Sequence, residues 1–429
     1  MHAQNSRVLH PAKVVDGSVR PGGDKSISHR YAMMAAIASG TTRLENFSTA
    51  ADCASTLECV QALGCTVRRT EAAVEIDGRD ASLNAPSAPL DCGNSGSTMR
   101  MLSGILAGQP FTSVMTGDDS LRRRPMRRVM EPLSQMGANI ESNDERAPLT
   151  IHGRRLKSID YELPVASAQV KSCVLLAGLF ADGVTSVTEP LATRDHTELA
   201  LKSFGVELKR EGLRTSIHSG QKLHAIQAYV PGDLSSATFF LCAAAIFPDS
   251  SLIIDNVLLN PTRAVILDVM AGMGLNVSFL KMQEQHGELL GTVQVRGGKL
   301  RGAKISGAQA AALIDELPAI AAIAPYTSDG VEISDAKELR VKESDRIAAV
   351  AHNLKAMGVQ FEERQDGLRI PGNQQPHGAE FQSFEDHRIA MAFSVAALRA
   401  TGDSVMHGSE AVAVSYPEFY EALERVVKL

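Results

Sequence analysis

One phrase of sequence recurs six times along this chain, and a fold with a single core does not accommodate it. Each copy opens on a polar loop and enters a segment built almost wholly from small and aliphatic residues. A Gly- or Asp-rich turn, a strand, a second and more amphipathic segment that ends in glycine in all but the C-terminal copy, and another strand follow. The first segments are KSISHRYAMMAAIASG, SGSTMRMLSGILAGQ, SAQVKSCVLLAGLFADG, DLSSATFFLCAAAIFPDS, ELPAIAAIAPYTSDG and EDHRIAMAFSVAALRATG. The second are ADCASTLECVQALG, RRPMRRVMEPLSQMG, RDHTELALKSFG, PTRAVILDVMAGMG, KESDRIAAVAHNLKAMG and the C-terminal YPEFYEALERVV. The recurrence predicts six βαβαββ-like units of roughly 70 residues each.

A helix that is apolar nearly all round is buried. Three such helices wrapped by sheets make one compact domain, so six units predict two domains. The length of 429 residues agrees, because one hydrophobic core stops growing at roughly 250–300 residues. Val230-Pro231-Gly232-Asp233 echoes Pro21-Gly22-Gly23-Asp24 and marks the expected division. The strand before Arg20 has no unit of its own and is expected to pair with the second half. Gly64, Gly137, Gly205, Gly274 and Gly358 close second helices, where a left-handed residue ends the helix. Strands follow them, as in CTVRR, VELKR and LNVSF.

Composition excludes several functions. The net charge of −6 gives no footprint for nucleic acid, and the absence of tryptophan removes stacking platforms. No apolar run reaches the roughly 18–20 residues that cross a bilayer. MHAQNSRVLHPAKVV has no signal-peptide core, so a cytoplasmic location is expected. Cys53, Cys59, Cys65, Cys92, Cys173 and Cys242 lack metal-site spacing and read as buried reduced thiols. No metal site is expected.

Chemistry-bearing residues gather where the apolar helices begin. RPGGDKSISHR, Arg20–Arg30, places glycines, Lys25, Ser26 and Arg30 at a helix N-terminus. That arrangement suits a phosphate or carboxylate, through orphan N–H groups and the helix dipole. It also suits an ordinary cap by Asp24 or Ser26. GNSGSTMR, Gly93–Arg100, is a second anion cradle or a second cap. SAQVKS, Ser167–Ser172, reads as a cap. RRRPMRR, Arg122–Arg128, is mostly a solvated face, with Arg124 before Pro125 at a helix start the arginine expected to turn inward. Asp315 and Glu316 precede an apolar helix, where a carboxylate caps, binds hydroxyls or acts as a base. Lys342 and Arg346 stand at i and i+4 and share a face if helical; Asp386-His387-Arg388 opens the last apolar helix. If the buried helices run parallel, these starts meet on one electropositive face in each domain.

The segments PGGDKSISHR, GNSGSTMR, RRRP, SAQ, RDHTE, VKESDR and DHRIAMAF closely resemble, in order and across essentially the whole chain, the signatures of the EPSP synthase family. The resemblance implies an α/β (α+β) two-domain enolpyruvyl-transferase fold of six inverse βαβαββ units, three per domain around buried parallel helices. It implies a discontinuous domain, residues 1–21 and 232–429, interrupted by an inserted domain, residues 22–231. The implied activity is transfer of the enolpyruvyl group of phosphoenolpyruvate to the 5-hydroxyl of shikimate 3-phosphate, without a cofactor, by a monomer. Carried over residue by residue, Lys25 touches both substrates, Ser26, Arg30 and Ser167 hold shikimate 3-phosphate, and Gln169 lies between the substrates. Gly96, Arg124, Arg346 and Arg388 receive phosphoenolpyruvate. Asp315 binds the shikimate hydroxyls and accepts a proton, with Lys342 nearby. Glu343 exchanges a proton with the methylene carbon, and Asn94 and His387 support the site.

Three features depart from much of the family. Ala168 replaces a serine, and Val414 stands where many members have a lysine, with Arg194 of TRDHTE as the compensating cation. These resemble the second of the family's two sequence classes. Gly96 is not the alanine of strongly glyphosate-tolerant members, so open space above it and inhibition by glyphosate are expected. The sister transferase acting on UDP-N-acetylglucosamine is the alternative; its KNAA-type start and loop cysteine are absent from GDKSISHR and DDSLRRRP. A non-catalytic scaffold is the other alternative, disfavoured by Asp315 and Glu343 occurring with the full arginine set.

Overall fold

The computed structural model describes residues 5–429. The chain forms two compact units. One comprises the segment ending at Gly22 together with Pro231–Gln283 and Leu289–Leu429; the other comprises Gly23–Val230 and the short piece Glu284–Glu288. Nothing in the repeat pattern marks that short piece.

In the Gly23–Val230 unit one sheet pattern occurs three times. Leu90–Asp91 runs parallel to Thr112–Thr116, which pairs antiparallel with Arg146–His152, which pairs antiparallel with Asn139–Asn143. Asp160–Glu162, Val184–Thr188, Arg214–His218 and Leu208–Glu211 repeat it. In the third sheet the parallel edge strand is Gln227–Tyr229, the last of the unit, laid beside Thr41–Glu45 near its beginning. Ala73–Asp77 and Thr66–Arg69 complete that sheet. The unit therefore closes on itself.

Its core helices are Lys25–Ile37, Gly96–Ala107 and Ala168–Gly178, buried over most of their length. The last two run parallel. Their first turns are joined by Gln169 Nε2 donating to Ser97 Oγ at 3.0 Å. Their middles touch at Gly104, where a Cβ would fall 2.2 Å from the Cys173 carbonyl oxygen, and their ends at Gly108 and Phe180. Only glycine permits that backbone approach.

The other unit repeats the pattern. Val14–Val19 lies parallel to Ser251–Leu258, in a sheet continued by Glu288–Arg296 and Asn276–Gln285. Ala303–Ile305, Val331–Ile333, Gly367–Ile370 and Glu362–Arg364 form the second sheet. Glu380–Gln382, Ser404–His407 and Ser6–Leu9 form the third. The N-terminal strands thus pair with the second half. The core helices are Leu234–Ala245, Leu317–Ile323 and His387–Ala397. Arg388 joins the starts of the last two through the Asp315 carbonyl at 2.7 Å, and Tyr326 Oη donates to the Ala396 carbonyl near their ends at 2.8 Å. These two also run parallel.

Gly64, Gly137, Gly205, Gly274 and Gly358 all have positive φ, from 74° to 104°. All six cysteines are buried and unpaired. Two local expectations fail. RRPMRR is not one helix start: a short helix, Asp119–Arg123, ends at Arg124, and the next, Arg127–Gln135, starts afresh. Pro125 forces the residue before it out of the helical region, and Arg124 has ψ 139°. Lys342 and Arg346 do not share a helical face, because the helix begins at Arg346 and Lys342 is extended.

Candidate functional site

Each unit gathers its polar helix starts into one cluster. In the Gly23–Val230 unit, Asp24 caps the first helix by accepting from Ile27 N at 2.8 Å. The segment is thus a cap and a cation cluster at once. Lys25 Nζ lies 2.7 Å from Asp52 Oδ2, and both are largely buried. Ser26 is half-buried at the same start, and its carbonyl accepts from Arg30 Nη1 at 2.9 Å. Arg30 Nε donates to Thr197 Oγ1 at 2.7 Å and its Nη2 to Ser172 Oγ at 3.0 Å. Burial draws the Arg30 pKa down to about 10, opposed by Glu198 and Asp24 and assisted by Arg194. Arg30 stays charged at neutral pH, and Arg194 lies within electrostatic reach of it.

Ser167 caps the Ala168–Gly178 helix, accepting from Val170 N at 3.4 Å. The Ala168 carbonyl accepts from Ser172 Oγ at 2.6 Å. Gln169 Oε1 accepts from Arg100 Nη1 at 2.8 Å. Arg124 Nη2 donates to Asn94 Oδ1 at 2.6 Å, and Asn94 Nδ2 donates to Asp118 Oδ2 at 2.6 Å. Gly96 does not face open space. A Cβ there would lie 2.8 Å from Arg100 Nη1 and 3.5 Å from Arg124 Nη1. Two guanidinium groups fill the volume that the sequence suggested was empty, which suits an anion-binding loop better than a void does.

In the other unit Asp315 Oδ1 lies 3.5 Å from Lys342 Nζ and 3.4 Å from Arg346 Nη1. Arg346 Nη2 donates to Glu343 Oε2 at 2.5 Å and its Nε to Asp386 Oδ2 at 2.8 Å. Lys342 and Arg346 thus converge on Asp315, from a loop and a helix start. Burial disfavours the Arg346 charge, but Asp386, Glu343 and Asp315 outweigh it and raise its pKa. Burial likewise disfavours ionised Asp386, yet Arg346 prevails and lowers its pKa. Arg388 Nη1 donates to Ser235 Oγ at 2.8 Å and to the Asp315 carbonyl. His387 is buried at the start of the same helix.

Several partners escaped the sequence reading. Arg100 lay inside GNSGSTMR, but its bond to Gln169 needs a helix from another repeat. Asp52, in the first turn of the Ala51–Ala62 helix, pairs with Lys25 from the preceding helix. Lys171 is wholly buried, 2.9 Å from Glu189 and 2.7 Å from Glu198. A lysine as the one charged residue of the Ala168–Gly178 helix was the signal available for it.

The family model for EPSP synthase (3-phosphoshikimate 1-carboxyvinyltransferase) matches residues 9–423. A 3-phosphoshikimate 1-carboxyvinyltransferase of Koribacter versatilis is 59% identical over 98% of this chain and 99% of its own length. One of Solibacter usitatus is 52% identical over 98% and 99%. The EPSP synthase structure from Acinetobacter baumannii superposes with a TM-score of 0.88 at 41% identity, covering 99% of this chain and 98% of that one. The enolpyruvyl transferase NikO from Streptomyces tendae shares the fold, with a TM-score of 0.79 at 19% identity and coverage of 99% and 98%. Repeated sheets, parallel core helices, cationic helix starts and these likenesses agree: the chain belongs to the EPSP synthase family.

Proposed function

We propose that this chain transfers the enolpyruvyl group of phosphoenolpyruvate to the 5-hydroxyl of shikimate 3-phosphate and releases phosphate. The observation that most supports it is the grouping of Asp315, Glu343 and Lys342 around Arg346. Two carboxylates fit for proton transfer are held near cations that bind anions. Asp315 takes the proton of the 5-hydroxyl as that oxygen bonds to C2 of phosphoenolpyruvate. Glu343 delivers a proton to the methylene carbon, giving a tetrahedral adduct. Loss of a proton from the resulting methyl carbon and cleavage of the C2–phosphate oxygen bond regenerate the double bond and free phosphate. Lys25, Ser26, Arg30, Ser167 and Arg194 hold shikimate 3-phosphate. Arg124, Arg346, Arg388 and the Gly96 loop receive phosphoenolpyruvate, and Gln169 orients both. Asn94 fixes Arg124, and His387 supports the helix start beside Arg388.

The two domains of the enzyme correspond to the two compact units, Gly23–Val230 with Glu284–Glu288 and the remainder of the described residues. It acts as a monomer, which size exclusion reads directly. Six buried, unpaired thiols suit a reducing cytoplasm, and no described helix is long and apolar enough to cross a membrane. The test is phosphate release from purified protein. Release that requires both shikimate 3-phosphate and phosphoenolpyruvate is expected. Release with UDP-N-acetylglucosamine in place of shikimate 3-phosphate, and none with the expected pair, rejects the assignment.

A further inference from the structure

Ser235, Glu316 and Arg388 form a buried line whose hydrogen-bond polarity has one solution. Arg388 Nη1 lies 2.8 Å from Ser235 Oγ, and a guanidinium only donates. Ser235 Oγ also contacts Glu316 Oε1, and an ionised carboxylate only accepts. The one Ser235 hydroxyl proton therefore points to Glu316, and the oxygen lone pairs face Arg388. Arg263 lies behind Glu316 at 3.7 Å and reaches Asp233 at 3.6 Å. Asp233 Oδ1 accepts from Ser235 N at 2.8 Å, so the serine backbone is fixed as well. Ser235, Glu316, Arg263 and Asp233 are all buried.

The two arginines at this cluster are held in different ways. Arg346 contacts Asp386, Glu343 and Asp315 directly, so carboxylates offset its charge. Arg388 is anchored through Nη1 on two uncharged oxygens, Ser235 Oγ and the Asp315 carbonyl. Glu316 acts on it through a hydroxyl group. Direct contact with a carboxylate would fix the guanidinium equally well, but would offset the charge that an incoming anion needs.

We propose that Ser235, oriented by Glu316, is a positioning residue that aims Arg388 at the anionic substrate while leaving its charge available. This rests on the reading that Arg388 receives phosphoenolpyruvate. The test compares Ser235→Ala, Arg388→Lys and the double variant in the full chain. It measures KM for phosphoenolpyruvate, kcat, binary affinity for shikimate 3-phosphate, and Tm. Ser235→Ala is expected to raise the phosphoenolpyruvate KM roughly tenfold, as loss of one acceptor to a charged donor implies. Shikimate 3-phosphate affinity stays within about twofold, a split that general loosening of the fold does not produce. The double variant matches Arg388→Lys alone, because the serine acts only through the arginine. Glu316→Gln, which keeps an acceptor for the serine proton, is expected to fall between wild type and Ser235→Ala. An effect of Arg388→Lys on the phosphoenolpyruvate KM without one from Ser235→Ala overturns the positioning role and leaves the substrate assignment standing. No effect from Arg388→Lys overturns both. Equal loss of affinity for the two substrates from Ser235→Ala, with a lowered Tm, reduces the serine to a structural part and overturns the proposal.

Discussion

Lys171→Met removes the cation from a buried site that holds two carboxylates. Lys171 Nζ stands 2.7 Å from Glu198 Oε1 and 2.9 Å from Glu189 Oε2, and none of the three side chains exceeds 5% exposure. Methionine fills much the same volume, so the cost is electrostatic. Removing one partner of a buried ion pair costs about 3–5 kcal/mol, because the charge left behind is uncompensated. Here two are left behind, so the upper end is expected. Domains are stable by only about 5–15 kcal/mol, which brings the Gly23–Val230 unit near its threshold. Urea unfolding of the full chain gives separate transitions if the units unfold independently. Hydrogen exchange in the Ala168–Gly178 helix then assigns the weakened one. Glu198 adjoins Thr197, which accepts from Arg30 Nε, so affinity for shikimate 3-phosphate also falls. Lys171→Met combined with Glu189→Gln and Glu198→Gln recovers most of the stability, since the stranded charges are gone. A loss under about 1 kcal/mol from the single variant, or a triple variant no better than the single, refutes this electrostatic account.

Four further outcomes are expected. Burial, then the charges of Lys25 and Arg30, hold the His29 pKa well below its usual value. The unfolded chain therefore binds the extra proton first, and stability falls as pH drops below about 6.5, by up to about 1.4 kcal/mol per unit. His29→Gln flattens that slope in denaturation curves between neutral and mildly acid pH; an unchanged slope rejects the assignment. Gly96→Ala displaces Arg100 from Gln169 and raises the phosphoenolpyruvate KM about tenfold, with Tm little changed; an unaltered KM shows that the arginine yields without consequence. Asp315→Ala lowers kcat by about 100-fold or more, the usual contribution of a general base, and near-normal turnover removes it from that role. With Arg100 and Arg124 held at the Gly96 loop rather than open space above it, glyphosate is expected to inhibit as an anion taking the place of phosphoenolpyruvate, and turnover untouched by millimolar glyphosate at low phosphoenolpyruvate contradicts this.

Where the sequence misled, a local pattern was read without its partners. Lys342 and Arg346 looked like neighbours on one helix. The structure brings them together because both reach Asp315, from a loop and a helix start. Gly96 looked open because a glycine-rich loop shows nothing of what lies above it. Arg100 and Arg124 arrive there from one turn further along the helix and from a separate loop. At Asp24–Arg30 the cap is made by Asp24, while Lys25 and Arg30 reach partners from other segments, Asp52, Thr197 and Ser172, which no local pattern shows.

Sequence alone determined the sixfold repeat, the burial of the small-residue helices and the glycines that end their partners. Those features are local: periodicity, composition and backbone preference act over a few residues. It also carried the family signatures, and with them the names of most candidate residues. Only the tertiary structure decided which charges meet. Lys25 with Asp52, Lys171 between two glutamates, Gln169 against Arg100, and Ser235 between Arg388 and Glu316 are each made by residues far apart in the chain. Hydrogen bonds and ion pairs depend on ångström-scale placement and on burial, and the packing of each core helix against its neighbours, within its own repeat for Lys25 and Lys171 and across repeats for Gln169 and Ser235, supplies both.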